Sequence, residues 1–188
     1  IDKQPVLKGK VLHLDGDQRY LSMCKKKYQD LNINANCYYM EEKKMQDEVI
    51  QLLERHKPHI LVVTGHDALR KKSDKNDISN YQHSYDYVKT IKNARKYESN
   101  KDSLIIIAGA CQSYYEMLLA SGANFASSPK RMNIHALDPV YVASLVANES
   151  VRNYCDIEDI ISKTSHKHNG MGGIDTKGVA RKVYPMKG

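Results

Sequence analysis

A histidine and a cysteine each follow a short apolar run that is rich in Val and Ile. Residues 60–64 lead through a glycine to His66, and residues 104–108 lead to Cys111. Such runs are typical of buried parallel strands, and the ligands of a parallel sheet bind outside the carboxyl ends of its strands. An imidazole that takes the proton of a thiol turns the sulfur into an effective nucleophile. The two residues therefore indicate a thiol hydrolase.

Apolar runs alternate with segments of helical spacing, and this alternation predicts the elements that hold the pair. We expect strands near residues 11–14, 37–40, 60–64, 104–108 and 124–128. Helical spacing covers residues 20–31, 45–53, 81–97 and 116–120, and further helices are expected to start at Asp138, as N-cap before Pro139, and near Asp156. The pattern predicts a three-layer α/β/α fold with a mainly parallel sheet, in a caspase-like or flavodoxin-like order.

The chain length of 188 residues suits one domain of ordinary size. We expect an α/β domain over residues 1–164 and a Gly-rich basic tail, extended or mobile, over residues 165–188. The polar segment 69–80 is long enough to be a lid, a specificity loop or a disordered insertion. The chain begins at Ile1 without an initiator methionine, so we expect a fragment or processed form of a longer protein.

Charge and cysteine usage exclude several classes of protein. The formal net charge of +7 favours acidic partners, but no nucleic-acid-binding motif accompanies it, and we expect no nucleic-acid partner. The sequence contains no apolar run of 18 residues and no signal sequence. We therefore expect no membrane span and no classical export. The four cysteines have no CxxC spacing, which argues against a zinc site or a redox dithiol. We expect reduced cytosolic thiols, no metal and no cofactor.

The cysteine lies in a partial caspase motif. Caspases carry a histidine about 50 residues before a Gln-Ala-Cys sequence that ends in glycine. Here His66 precedes Cys111 by 45 residues, and Ala110-Cys111-Gln112 matches the centre of the motif. Glycine replaces the leading glutamine, Ser113 replaces the final glycine, and Asp67 follows the histidine where caspase-like peptidases usually carry glycine. The resemblance to the caspase clan is therefore partial.

Longer blocks carry a closer resemblance over most of the chain. They cover residues 11–17, 64–67, 108–113, 122–131 and 134–139. In content and order these blocks resemble the YabG family of sporulation-specific proteases, with the N-terminal region of the family missing. The resemblance implies a cysteine endopeptidase of endospore-forming bacteria that cleaves spore coat and related spore proteins after arginine. It also implies a location in the mother-cell cytoplasm, associated with the forming spore coat.

The matched motifs imply roles for individual residues. Cys111 would attack the scissile carbonyl, and His66 would activate the thiol or protonate the leaving amine. The oxyanion would be held by backbone N–H groups at Cys111 and at Asp67, since turns at strand ends expose such donors. Arginine specificity requires a carboxylate, because a guanidinium forms paired charge-assisted hydrogen bonds with one. The candidates for substrate binding are Asp15, Asp17, Asp67 and Asp86, of which Asp15 and Asp17 follow the first strand on the expected catalytic rim.

Other interpretations stay open. His135 is a rival for the base and a further candidate for substrate binding. Cys111 could be a small apolar residue that closes a core strand, and His66 could be a loop residue bonded to the backbone. The other cysteines, Cys24, Cys37 and Cys155, are interpreted as structural.

The alternative functions come from different classes. A non-enzymatic receiver-like or coat-interaction module would use Asp15 and Asp17 to bind a divalent ion. A glutamine-amidotransferase-like thiol hydrolase would use 109–113 as an approximate nucleophile elbow. Loss of cleavage on changing Cys111 distinguishes the hydrolases from the module.

Overall fold

The computed structural model describes residues 5–185 of the chain. The helices are α1 (Gln18–Asp30), α2 (Glu42–His56), α3 (Ser84–Tyr97), α4 (Tyr115–Ser121), α5 (Asp138–Asn148) and α6 (Ile157–Ser162). The strands are β1 (Val6–Leu7), β2 (Val11–Asp15), β3 (Ala35–Tyr39), β4 (Ile60–Thr64), β5 (Ile105–Ala108), β6 (Phe125–Ser127), β7 (Met171–Gly173) and β8 (Arg181–Lys182). The elements predicted before residue 165 are all present, with small differences in their bounds.

The main sheet has the strand order β3-β2-β4-β5-β6-β7. Strands β2 to β6 are parallel, whereas β7 runs antiparallel to β6 at one edge. Numbered among themselves, the parallel strands have the order 2-1-3-4-5, which is the flavodoxin-like order. In this order the winding direction reverses between β2 and β4, so a crevice opens beyond the carboxyl ends of these two strands.

Helices cover both faces of the sheet. On one face α2 and α3 bury Val49 and Ile91 together with Leu118 of α4. On the other face α1 and α5 bury Tyr28 and Val142, and α6 packs beside them. The prediction of a three-layer α/β/α fold with a mainly parallel sheet is therefore confirmed. Within residues 5–185, every helix is too short or too polar to cross a membrane.

Asp138 differs from its predicted role as an N-cap residue. Helix α5 begins at Asp138 itself, and Leu137 is the residue before it. The buried Asp138 carboxylate accepts hydrogen bonds from the N–H and hydroxyl of Ser165, at 3.0 and 2.9 Å. It also accepts one from the N–H of His135 at 3.2 Å. The side chain therefore joins two distant segments instead of capping its own helix.

The polar loop 69–80 is tied to the domain at several points. Its ends meet in a backbone bridge between Leu69 and Tyr81. The Tyr81 and Tyr114 rings stack with centroids 5.0 Å apart, and the Arg131 guanidinium lies over both. Arg131 also donates to the Tyr81 hydroxyl at 2.7 Å and pairs with Glu116 at 2.5 Å. The loop is therefore held against α4 and the segment that follows β6.

The predicted tail 165–188 contributes a strand to the main sheet. Within it, Met171–Gly173 form β7, which pairs with β6, and the Met171 side chain is fully buried. Arg181–Lys182 form β8, which pairs with β1 outside the main sheet. The structure thus differs from the boundary predicted at residue 164, because the sheet is completed beyond it. The outermost residues of the two predicted regions, 1–4 and 186–188, lie outside the described residues.

If β7 is an integral part of the core, Met171→Ala should lower the free energy of unfolding by about 2–4 kcal/mol, through the lost burial and the cavity left behind. Chemical denaturation followed by circular dichroism measures the change. Met23→Ala is the matched control, because Met23 is 42% exposed, and it should cost less than about 1 kcal/mol. Equal losses in the two variants would show that β7 does not support the core.

Candidate active site

A cleft of about 260 Å³ opens beyond the carboxyl ends of β2, β4 and β5. It lies where the winding of the sheet reverses, which is the usual ligand position in open α/β sheets. Its walls come from the strand ends, the first turns of α1 and the segment 134–139, and include Asp15, Tyr20, Gly65, Cys111, Ile134 and His135. The site expected from the sequence is therefore a concave surface.

Cys111 follows β5 and lies at the wall of this cleft. Its half-buried sulfur accepts a hydrogen bond from the N–H of Ile134 at 3.3 Å and lies 3.7 Å from the carbonyl oxygen of the same residue. The other thiols lie in different surroundings, where burial raises the pKa of Cys24 to about 12 and those of Cys37 and Cys155 to about 11. Cys111 is the cysteine that the fold presents at the cleft.

His66 reaches the same rim from the neighbouring strand. In the sheet register Val63 of β4 pairs with Ala108 of β5, and His66 and Cys111 each come three residues after these partners. The His66 ring is about half exposed and lies 5.6 Å from the Tyr20 ring, which lines the cleft. The structure thus brings both strand-end residues to one end of the sheet, with His66 beside the cleft lining.

The backbone of His66 is held by two residues from the helices. The buried Glu42 carboxylate accepts from the His66 N–H at 2.8 Å, and the Tyr87 hydroxyl donates to the His66 carbonyl at 2.7 Å. Glycine is required next to this carboxylate. A Cβ on Gly16 would overlap the carboxylate, and Gly65 adopts a φ of +153° where a Cβ would also contact Glu42. The two glycines of the strand-end turns therefore leave the space that Glu42 fills.

Asp67 is buried and fixes the cysteine loop. Its carboxylate accepts from the hydroxyl of Ser84 at 2.5 Å and of Ser113 at 2.8 Å, and from the N–H groups of His83 and Ala68 at 2.7 and 2.9 Å. Ser113 in turn accepts from the N–H of residue 110 at 2.9 Å. Burial raises the pKa of Asp67, against the effect of these donors. The side chain is occupied by the protein itself and connects the histidine loop to the cysteine loop.

Asp15 is the candidate carboxylate that lines the cleft. Its Oδ2 accepts from the Thr64 hydroxyl at 2.8 Å, and this hydroxyl accepts from His13 Nε2 at 2.7 Å. His13 Nδ1 and the Tyr28 hydroxyl share a hydrogen bond of 2.8 Å, which completes a buried relay. Asp86 lies elsewhere, paired with the ring of His83 at 2.9 Å. The relay holds the Asp15 carboxylate in a fixed orientation at the cleft.

His135 is exposed and lines the same cleft as Cys111. Its Nδ1 accepts a hydrogen bond from the N–H of Leu137 at 3.1 Å, so Nε2 is the nitrogen that remains for other partners. The structure therefore keeps His135 beside Cys111, as the sequence predicted for a rival base or substrate-binding residue.

A family model described as YabG peptidase U57 matches residues 3–185 of the chain. The chain belongs to this family. It is also 44% identical over 180 residues to the sporulation-specific protease YabG of Bacillus subtilis (strain 168). The match covers 95% of this chain and 62% of that relative, so the chain spans less than two thirds of the length of the curated protein it matches.

One cluster near the YabG-family cleft contains metal-ligating residue types. Among the described residues, ligand atoms of His13, Asp15 and Cys24 lie within 4.8 Å of one another. Both nitrogens of His13 carry hydrogen bonds from or to protein groups, and burial raises the pKa of Cys24 to about 12, which disfavours the thiolate that a metal requires. We assign the cluster to the hydrogen-bonded relay beneath Asp15.

Several residues of this YabG-family site were not found from the sequence. Glu42 and Tyr87 act on the backbone of His66 and come from helices far from the motifs, whereas Ser113 lies within the cysteine motif but acts on Asp67. A glutamate in the first turn of a helix, such as Glu42, is usually explained by the helix dipole. The available signal was the pair Gly16 and Gly65 at two strand ends, since glycine at such turns permits close approach of another group.

Removal of the Asp67 carboxylate should damage stability more than an ordinary surface change. Asp67→Ala leaves the buried donors of Ser84 and Ser113 and the His83 N–H without their acceptor, and should cost about 2–4 kcal/mol in free energy of unfolding. Urea denaturation measures this loss in the free energy of unfolding. Asp77→Ala, at an exposed 3₁₀ turn, is the control and should cost about 1 kcal/mol or less. A loss for Asp67→Ala no larger than the control would contradict the role of Asp67 as a connector.

Proposed function

We propose that the chain is a sporulation-specific cysteine endopeptidase that cleaves spore coat and related spore proteins after arginine. The observation that supports this most is that Cys111 and Asp15 line the same cleft in a chain of a peptidase family. A nucleophile and a fixed hydrogen-bond acceptor within one cleft can bind a peptide in which the arginine side chain pairs with Asp15. The scissile carbonyl of the same peptide would then lie next to the Cys111 sulfur.

The proposed reaction begins with transfer of the Cys111 proton to His66. The thiolate attacks the scissile carbonyl, and the resulting oxyanion is held by the backbone N–H groups of Cys111 and Asp67. His66 then gives its proton to the leaving amine, and an acyl-enzyme remains on Cys111. Water, deprotonated by His66, hydrolyses this thioester and frees the enzyme.

Arginine recognition is assigned to Asp15. Of the four candidate carboxylates, Asp67 carries four protein donors, Asp17 is bonded to His66, and Asp86 is paired with His83. Asp15 lines the cleft, and the Thr64 hydroxyl and the Asp17 N–H fix the orientation of its carboxylate. A guanidinium on this buried carboxylate would form charge-assisted hydrogen bonds in a site of low dielectric.

Location and substrates are part of the same proposal. The matching relative is named for sporulation, and a protease that acts on coat proteins would work in the mother-cell cytoplasm at the surface of the forming spore. Protein substrates are the proposed partners. The basic net charge of +7 favours acidic protein surfaces.

Cys111→Ala and His66→Ala should each lower cleavage of arginine-containing fluorogenic peptides by roughly 10⁴-fold or more, because both groups act in the chemical step. Cleavage is measured under reducing conditions, together with labelling of the wild type by a peptidyl-arginine chloromethyl ketone. Cys37→Ala is the control and should keep both activity and labelling. Label absent from Cys111, or cleavage that survives Cys111→Ala, would contradict the proposed mechanism.

Asp15→Asn should lower kcat/KM for an arginine peptide on the order of 10²-fold relative to the matched glutamine peptide, because it removes the charge that pairs with the guanidinium. Asparagine keeps one acceptor oxygen for Thr64 but loses the one that accepts from the Asp17 N–H, so the ratio of the two peptides is the readout and not the absolute rate. Asp86→Asn is the matched control, because the Asp86 carboxylate pairs with the ring of His83. It should change the ratio of kcat/KM for the arginine and glutamine peptides less than about 2-fold. A reversed ranking would assign arginine recognition to Asp86 in place of Asp15.

A further inference from the structure

The two oxygens of the Asp17 carboxylate make hydrogen bonds to different partners, one to the backbone of helix α1 and the other to the ring of His66. Oδ1 accepts from the N–H of Tyr20 at 2.9 Å and so caps helix α1. Oδ2 lies 2.6 Å from Nε2 of His66. The N–H of Asp17 itself donates to Oδ1 of Asp15 at 2.8 Å. The helix cap and the Asp15 contact therefore fix the position and the rotation of the carboxylate that meets the histidine.

The charge of Asp17 favours this arrangement. Burial acts to raise the pKa of the carboxyl group, but the hydrogen bonds from Tyr20 and His66 outweigh it, and the pKa lies below its usual value. Asp17 is therefore ionised at neutral pH and can only accept hydrogen bonds. His66 Nε2 must carry the proton of the 2.6 Å contact, and in the neutral ring this leaves Nδ1 as the unprotonated nitrogen.

Other elements hold the rest of His66. The Tyr20 ring of α1 lies 5.6 Å from the imidazole, Glu42 of α2 accepts from its backbone N–H, and Tyr87 of α3 donates to its carbonyl. These contacts fix the backbone and one ring face of the histidine. The protonation of its two nitrogens is set by Asp17.

We propose that Asp17 is the positioning residue of the catalytic histidine, so that the working unit is Asp17–His66–Cys111 with Nδ1 of His66 as the proton acceptor. This inference rests on the proposed Cys–His mechanism. The Cys111 proton moves to Nδ1, the Nε2 proton stays on Nε2 in its hydrogen bond to Asp17, and the Nδ1 proton later passes to the leaving amine. Asp17 stays ionised and stabilises the imidazolium, as the aspartate does in serine protease triads.

Asp17→Asn is a sharp test because the two oxygens have different tasks. The asparagine oxygen is held by the Tyr20 N–H as the helix cap, since asparagine caps helices as well as aspartate. The amide NH₂ then takes the position of Oδ2 and donates to His66 Nε2. This moves the imidazole proton to Nδ1, and the ring can no longer accept the proton of Cys111.

The first measurement is the steady-state rate on an arginine-containing fluorogenic peptide. Asp17→Asn should lower kcat by roughly 10³-fold while KM changes less than about 3-fold, because the loss falls on the chemical step and leaves the cleft intact. Asp156→Asn is the matched control. Asp156 caps α6 through the N–H of Asp159 at 3.0 Å, and its replacement should leave kcat within about 2-fold.

The second measurement does not depend on turnover. In the Cys111→Ala background, ¹⁵N NMR of the imidazole, assigned by comparison with His66→Gln, should show Nε2 protonated in the neutral ring and a change to protonated Nδ1 when Asp17→Asn is added. An unchanged tautomer, or a kcat for Asp17→Asn within about 3-fold of wild type, overturns the role of Asp17. Cleavage that survives Cys111→Ala would instead overturn the Cys–His mechanism, and the tautomer would still report on the Asp17 contact.

Discussion

Carboxylates buried at the carboxyl edge of the sheet are the constraint on which the rest of the site depends. Asp15, Glu42 and Asp67 are each less than a tenth exposed, and a buried charge is costly unless donors surround it. The donors come from the loops that carry the reactive residues. Glu42 takes the backbone N–H of His66, and Asp67 takes the hydroxyl of Ser113 in the cysteine loop. Satisfying these charges therefore also fixes the reactive loops.

The sequence predicted the frame of this site because the frame depends on local patterns. Val and Ile runs identified β4 and β5, and strand ends in a parallel sheet share one edge, so the sequence was enough to place His66 and Cys111 at the same edge. Helix α6 was likewise recognisable from Asp156, whose carboxylate caps it. These are properties of a few neighbouring residues.

The parts that the sequence did not predict depend on long-range contacts. Strand β7 is Met-Gly-Gly, which has little strand propensity, and it forms because β6 offers an open edge. Asp138 looked like an N-cap before proline, but Ser165 competes for its carboxylate. The bond between Asp17 and His66 joins two loops 49 residues apart, and no local spacing encodes it.

The pairing of β1 with β8 bears on the order in which the molecule folds. Val6 pairs with Lys182, so this ladder closes residues 6–182 into one loop. Closing such a long loop lowers the conformational entropy of the chain before the pairing contributes any stability. The ladder also lies next to the amino ends of the strands, since β1 precedes β2 by three residues. We expect it to form late and to open first, while the cleft at the opposite edge keeps its shape.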